Sequence, residues 1–296
     1  MSTSLDVTAG PAEEIGGPRA TPEESRRWNI IRRGDPGPDP ETRRHKRIVR
    51  IIQIAIVLVA LGLWEYLGKS SKTLNLTIST PWDTAKWIGQ WAEGKQAHGW
   101  SDLVVTLEEA AYGMFLGVLI GVVLAVVVST SKWVRLFSAP FVSMLNALPK
   151  IALAPLFILI FGESVSARAY FVAAGIFFIT FYNVFGGIRS IDVIYLRNAR
   201  VLGANRRWLV RDVYAPSIVG WVMTSLRLTS AWALTGAVIA EYLGSVKGMG
   251  YIVATGQQSS STPEVLGGVL IVAVVALIVD RVIVRIERHF SVWRLA

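Results

Sequence analysis

The sequence predicts an all-α integral membrane protein with six transmembrane helices, and three observations carry that expectation. Hydrophobic residues make up 52% of the 296-residue chain and charged residues only 17%, a balance too apolar for an ordinary soluble domain. Apolar runs long enough to cross a bilayer, about 20 residues each, recur along the chain. Basic residues gather at the flanks of these runs, as in loops held on the cytoplasmic side of a membrane. The net charge of +9 is therefore assigned to topology, and no nucleic-acid partner is expected.

Cysteine is absent and the three histidines, His45, His98 and His289, are far apart. Disulfides, thiolate metal sites and cysteine nucleophiles are excluded, and no metal site is expected. No secretory leader is visible, since the first apolar run begins only near Ile48.

Residues 1–46 are rich in Pro, Gly, Ser, Glu and Arg and are expected to form a disordered cytoplasmic tail. Within it, Trp28 and Ile31 among arginines suit either a short amphipathic helix on an anionic leaflet or a solvated stretch. Residues 47–102 hold the first span, near 48–67, and an external segment with Trp82, Trp87, Trp91 and Trp100. Indoles favour the headgroup layer, so that segment is expected to include an interfacial helix. The main membrane domain is placed at 103–290, with spans near 103–128, 134–161, 169–188, 217–243 and 265–284, and a short cytoplasmic tail at 291–296. The region 134–161 is interrupted by Pro140, Pro149 and Pro155. Charge bias puts both termini in the cytoplasm, with Arg168 and Lys247 in outer loops.

Gly113, Gly117 and Gly121 recur every fourth residue in the second span. That spacing forms a groove in which two helix backbones approach closely, and packing inside the bundle is its expected use.

The polar loop 189–216 separates two apolar spans, and its part from Arg197 to Pro216 carries five arginines. A loop so charged belongs in cytoplasmic water. Residues 191–202 suit a short helix with Ile194, Ala199 and Leu202 on one face. Gly203 permits a sharp turn, Asn205 suits a cap, and Pro216 suits the first turn of the next span. Helix, bend, helix and span together make a stiff lever.

The same stretch resembles the EAA loop of ABC importer permeases, whose pattern runs E-A-A, three residues, Gly, nine residues, Ile-x-Leu-Pro. Ala199, Gly203 and Pro216 keep that pattern and Val213 stands at the Ile; Arg197, Asn198 and Ala215 depart from it. Three further segments are similar to the nitrate, sulfonate, taurine and bicarbonate branch of these permeases: the run from Leu145 to Gly162, Ala240-Glu241 with Gly248-Met-Gly-Tyr251, and the closing Arg285-Ile-Glu-Arg288. The resemblance implies a bacterial inner-membrane permease that works as a dimer, most simply with itself, amid membrane lipid. It implies cytoplasmic ATPase subunits docked on the loop and an extracytoplasmic binding protein. It implies no catalysis and no cofactor on this chain, Mg-ATP being bound by the partner. A small anion is the leading substrate class, and a neutral heteroaromatic nutrient such as a thiamine precursor is the alternative. A secondary transporter acting without an ATPase is the reading from another class; it calls for charged relays or repeated halves, neither of which is evident.

Ionisable groups inside spans mark function by default. Pro149, Lys150 and Pro155 are candidates for the translocation path, Lys150 foremost, because prolines there free backbone carbonyls that a cavity or protein must cover. Glu241, near the outer end of the fifth span, is a further candidate or a brace for the glycine-rich loop after it. Glu108 and Glu109 are expected to favour the amino terminus of the second span. Asp280 is expected to balance Arg281, and Arg227 to serve topology or an interface.

Overall fold

The computed structural model describes residues 40–70, 78–96 and 99–290. The expectations placed on residues 1–39 and 291–296 lie outside it. The chain divides into two units, Met1–Gly62 and Leu63–Ala296. The described part of the first belongs to helix α1, Pro40–Ser70, which continues across the boundary. From Ile51 to Trp64 it carries no charged side chain, and the helix passes for a span by length and composition from Arg47 to Ser70.

The second unit is entirely helical in its regular elements among the described residues. A short helix α2, Pro81–Ala92, starts on Pro81, with the Thr80 hydroxyl accepting the Asp83 N–H. Trp87 and Trp91, one turn apart, share its inner face and pack with Leu103, Met249, Ile252 and Ile271. Trp82 and Trp100 stay exposed. Two of the four indoles assigned to a headgroup layer are thus core residues, because their i, i+4 spacing puts both on the face turned to the bundle.

Helix α3, Trp100–Thr130, and helix α6, Val165–Arg189, form the central pair, with α9, Ala215–Gly244, laid against both. Gly113, Gly117 and Gly121 face α6: a Cβ on them would stand 2.5 Å from Val172, 2.7 Å from the Ala173 carbonyl and 2.9 Å from Thr180. Absent side chains let the two backbones close. On the other side of α6, Gly175 and Gly187 receive the indoles of Trp232 and Trp221 from α9. Small residues line α9 itself, where Ala233, Ala237 and Ala240 meet Phe171, Val172 and Ile176.

The proline-rich region divides into α4, Lys132–Ala147, a 3-10 turn at Lys150–Leu153, and α5, Ala154–Phe161, with an 85° bend between the two arms. Pro140 lies inside α4 and Pro155 in the first turn of α5, so the break belongs to Pro149. Proline disfavours helical geometry in the residue before it, and Leu148 is extended, with ψ 136°.

Between α6 and α9 lie α7, Val193–Val201, α8, Arg206–Leu209, and a π turn, Val210–Tyr214. After α9, α10, Met249–Gln258, and α11, Thr262–Phe290, fold back on α9, and α11 also packs on α2. Among the described residues, four helices are long and apolar enough to span a membrane, or five counting the bent pair as one span. The expected sixth span coincides with α11, which carries an uncharged run at 265–279.

Candidate functional site

The loop between α6 and α9 is a capped, bent rod. Asp192 opens α7 by accepting the Ile194 N–H (2.8 Å), and Asn205 opens α8 by accepting the Trp208 N–H (2.8 Å). Between them the chain turns on Gly203, whose φ of +86° lies in the left-handed region. The Ala204 N–H bonds back to the Ala199 carbonyl (2.9 Å) and the Gly203 N–H to the Arg200 carbonyl (3.0 Å). This is the glycine-centred stop that satisfies the last carbonyls of a helix. Pro216 enters α9 in its first turn, directly after the π turn.

Side-chain exposure on the rod departs from the expected single face. Ala199 is buried, whereas Ile194 is 62% and Leu202 87% exposed. Val193, Tyr195 and Val201 are exposed as well. Arg197, Asn198 and Ala215 are exposed, and Val213 is half-buried. A short helix outside the bundle thus shows several large apolar side chains to its surroundings.

At the bend of the proline-rich arm, Lys150 is half-buried. Its Nζ donates to the Asn146 side-chain oxygen (3.2 Å) and to the Asn146 backbone carbonyl (3.3 Å), and lies 5.3 Å from the centre of the Phe178 ring. In an unbroken helix that carbonyl would accept the backbone N–H of residue 150. Here the ammonium takes it, and the cation also faces the ring, a favourable arrangement. No described carboxylate forms an ion pair with Lys150.

The opposite end of the bundle holds a buried polar network that the sequence pattern leaves largely hidden. Asp102, Thr106 and Glu109 follow one face of α3 at helical spacing, just ahead of the glycine groove, and all are buried. Glu109 accepts from Arg168 of α6, with both Nε and Nη2 at 2.6 Å from Oε1. Glu241 of α9 is 0% exposed. Its Oε1 accepts the Thr106 hydroxyl (2.7 Å) and its Oε2 the Gly250 N–H (2.8 Å). Thr106 in turn accepts the Met249 N–H (2.9 Å), and Asp102 accepts the Gly248 N–H (2.8 Å). The first turn of α10 is thereby tied to α3 and α9. Gly248, at φ +106°, is required here, since a Cβ would meet the Glu241 carboxylate at 2.2 Å.

Two expectations change in consequence. Glu109 is not a helix-end residue, because α3 begins nine residues earlier at Trp100 and Gly99 and Asp102 form its cap. Arg168 is a buried partner and not a loop charge, since α6 already begins at Val165. The sequence carries one mark of this network, the line of polar residues at i, i+4 and i+7 that leads to Gly113. Glu241 braces the loop after it through the Gly250 N–H and is fully buried. Arg227 stands 3.7 Å from Glu287.

Over residues 117–292 the chain matches the family described as binding-protein-dependent transport system inner membrane component. The chain belongs to that family. The permease is 30% identical over 236 residues to the aliphatic sulfonates transport permease protein SsuC of Bacillus subtilis (strain 168), covering 80% of this chain and 85% of the relative. It is 24% identical over 194 residues to the taurine transport system permease protein TauC of Escherichia coli (strain K12), covering 66% and 70%. It is 27% identical over 192 residues to the formylaminopyrimidine transport permease protein ThiX of Halalkalibacterium halodurans, covering 65% and 77%. In fold it is similar to an inward-facing MetNI methionine ABC transporter chain (TM-score 0.55, 18% identity, 63% of this chain and 93% of that one). It is also similar to a chain of a bacterial alginate ABC transporter (TM-score 0.55, 18% identity, 83% and 99%). The permease is a transmembrane subunit of an ATP-driven importer, and ATP hydrolysis belongs to a separate subunit.

Proposed function

We propose that this permease imports a small organic anion of the sulfonate class across a bacterial inner membrane, driven by an ATPase that docks on the 189–216 loop. One observation carries the coupling half of the reading. The loop is a rod capped at both helices and bent at Gly203, and it displays Val193, Ile194, Tyr195, Val201 and Leu202 outside the bundle. Apolar groups on a stiff lever give a partner something to grip and a way to pass on movement, because packed helices switch between discrete arrangements. The names of SsuC and TauC support the sulfonate class, and the half-buried ammonium of Lys150 at the Pro149 bend supports an anion on the path.

The machine contains two permease copies, two ATPases and an external binding protein that delivers substrate to the end where Glu241 and Asp102 hold α10. Both termini lie in the cytoplasm. ThiX supports a second substrate reading, a neutral pyrimidine, and a thermal-shift ligand screen on the binding protein separates the two.

Purification in mild detergent is expected to bring down an ATPase in equal amount, and Leu202→Asp to release it without loss of the permease. Isolation of a lone, transport-competent chain would overturn the reading. Lys150→Gln is expected to reduce ATP-dependent sulfonate uptake by vesicles while the ATPase stays bound; undiminished uptake removes Lys150 from the path.

A further inference from the structure

The loop also closes one side of a cavity. The ends of α3 and α6, the start of α4, the bent rod and the first residues of α9 enclose about 750 Å³, within the range of small-molecule sites (about 300–1,000 Å³). Four arginines line it: Arg135 from α4, Arg189 from α6, Arg200 from α7 and Arg206 from α8. No aspartate or glutamate is among its lining residues. Asp192 and Asp212, the acidic residues of the same loop, stay out of the lining, and Asp192 is engaged on the Ile194 N–H. No described carboxylate forms an ion pair with any of the four.

Topology alone does not ask for this convergence. Arg197, Arg207 and Arg211 satisfy a positive-inside bias equally well from outside the lining. Four arginines line one concavity, Arg189 with its guanidinium also over the Phe185 ring, and a cleft lined by one sign of charge concentrates counter-ions. The neighbouring hydroxyls of Ser129 and Thr130 donate to carbonyls of their own helix, 2.6 Å and 2.7 Å away, and supply no negative charge. Guanidinium forks match tetrahedral oxyanions through paired N–H bonds.

We propose that this cavity binds a phosphate- or sulfonate-type oxyanion, either the headgroup of an anionic lipid or a free cytosolic anion. Arg135 and Arg189 belong to the base of the bundle, and Arg200 and Arg206 to the rod. A bound oxyanion bridges the two and sets the angle of the rod. Its consequence for the ATPase rests on the coupling role proposed above, whereas binding itself does not.

The chain has no cysteine, so Ala204→Cys places a single thiol in the lining and Leu202→Cys a single thiol on the exposed surface for reference. N-ethylmaleimide labelling rates are compared for the full chain in three settings: phosphatidylcholine vesicles, the same vesicles with inorganic phosphate, and vesicles containing phosphatidylglycerol. Labelling at Ala204→Cys is expected to slow several-fold relative to Leu202→Cys in at least one anionic arm. Protection only with phosphatidylglycerol assigns a lipid headgroup; protection by inorganic phosphate assigns a free anion. Arg135→Gln with Arg206→Gln is expected to abolish protection. The paired lysine substitutions are expected to keep part of it, as is Arg207→Gln with Arg211→Gln, which removes equal charge outside the cavity. No protection in either anionic arm, or protection indifferent to Arg135 and Arg206, overturns the proposal. None of these outcomes depends on whether an ATPase binds.

Discussion

Glu109 and Arg168 are both buried, and their strength comes from their being together. Removing one partner leaves an uncompensated charge in the interior, which costs about 3–5 kcal/mol, whereas replacing both by neutral groups costs far less. Arg168→Ala is therefore expected to lower the thermal stability of the detergent-purified protein sharply, and Glu109→Gln combined with Arg168→Gln to recover most of the loss. Equal losses in the two variants would show that packing, and not charge, dominates the site. The neighbouring carboxylate, Glu241, was recognisable in the sequence as an intramembrane acid preceding a glycine-rich loop. Its partner Thr106 was not, because a threonine in an apolar run has no charge to betray it, and its bond to Glu241 spans 135 residues.

Among elements, the α3–α6 contact and the bent rod depend on glycine for opposite reasons. Gly117 is needed for space: an added Cβ falls 2.7 Å from the Ala173 carbonyl and 2.8 Å from Ile176. Gly117→Leu is expected to push the helices apart at a cost of about 1–3 kcal/mol or more, read as a lower unfolding temperature. Gly203 has nothing within 4 Å and is needed for its backbone angle. Gly203→Ala forces a side chain into the left-handed region at a cost of roughly 1–2 kcal/mol. Its expected signature is weaker ATPase association, titrated with the purified partner, with little change in bundle stability. The periodicity of Gly113, Gly117 and Gly121 made the first contact legible, and the order of Asn205, Gly203 and Pro216 made the rod legible. The facing of Ile194 and Leu202 was not legible, since a nine-residue helix carries too few apolar positions to tell an inner face from an exposed one.

For the molecule as a whole, apolar runs and their basic flanks revealed the class of fold and nearly all of the helices. They did not reveal that α2 packs on α11, because tryptophan suits a core as well as a headgroup layer. Topology remains open to a direct measurement. In cells that make this chain without its ATPase, a membrane-impermeant maleimide is expected to label Lys95→Cys directly and to reach Leu202→Cys only after permeabilisation. Labelling of Leu202→Cys from outside would place the rod on the wrong side for a cytoplasmic ATPase.

The corner at Pro149 carries a kinetic consequence. Helical amides shielded by the bundle trade hydrogen for deuterium only on rare openings. Where α4 ends, the Asn146 carbonyl is held by an ammonium in place of a backbone donor. Residues 148–153 should consequently take up isotope faster than the α5 arm that packs on α6 and α9, and any cargo that settles against Lys150 should quiet them.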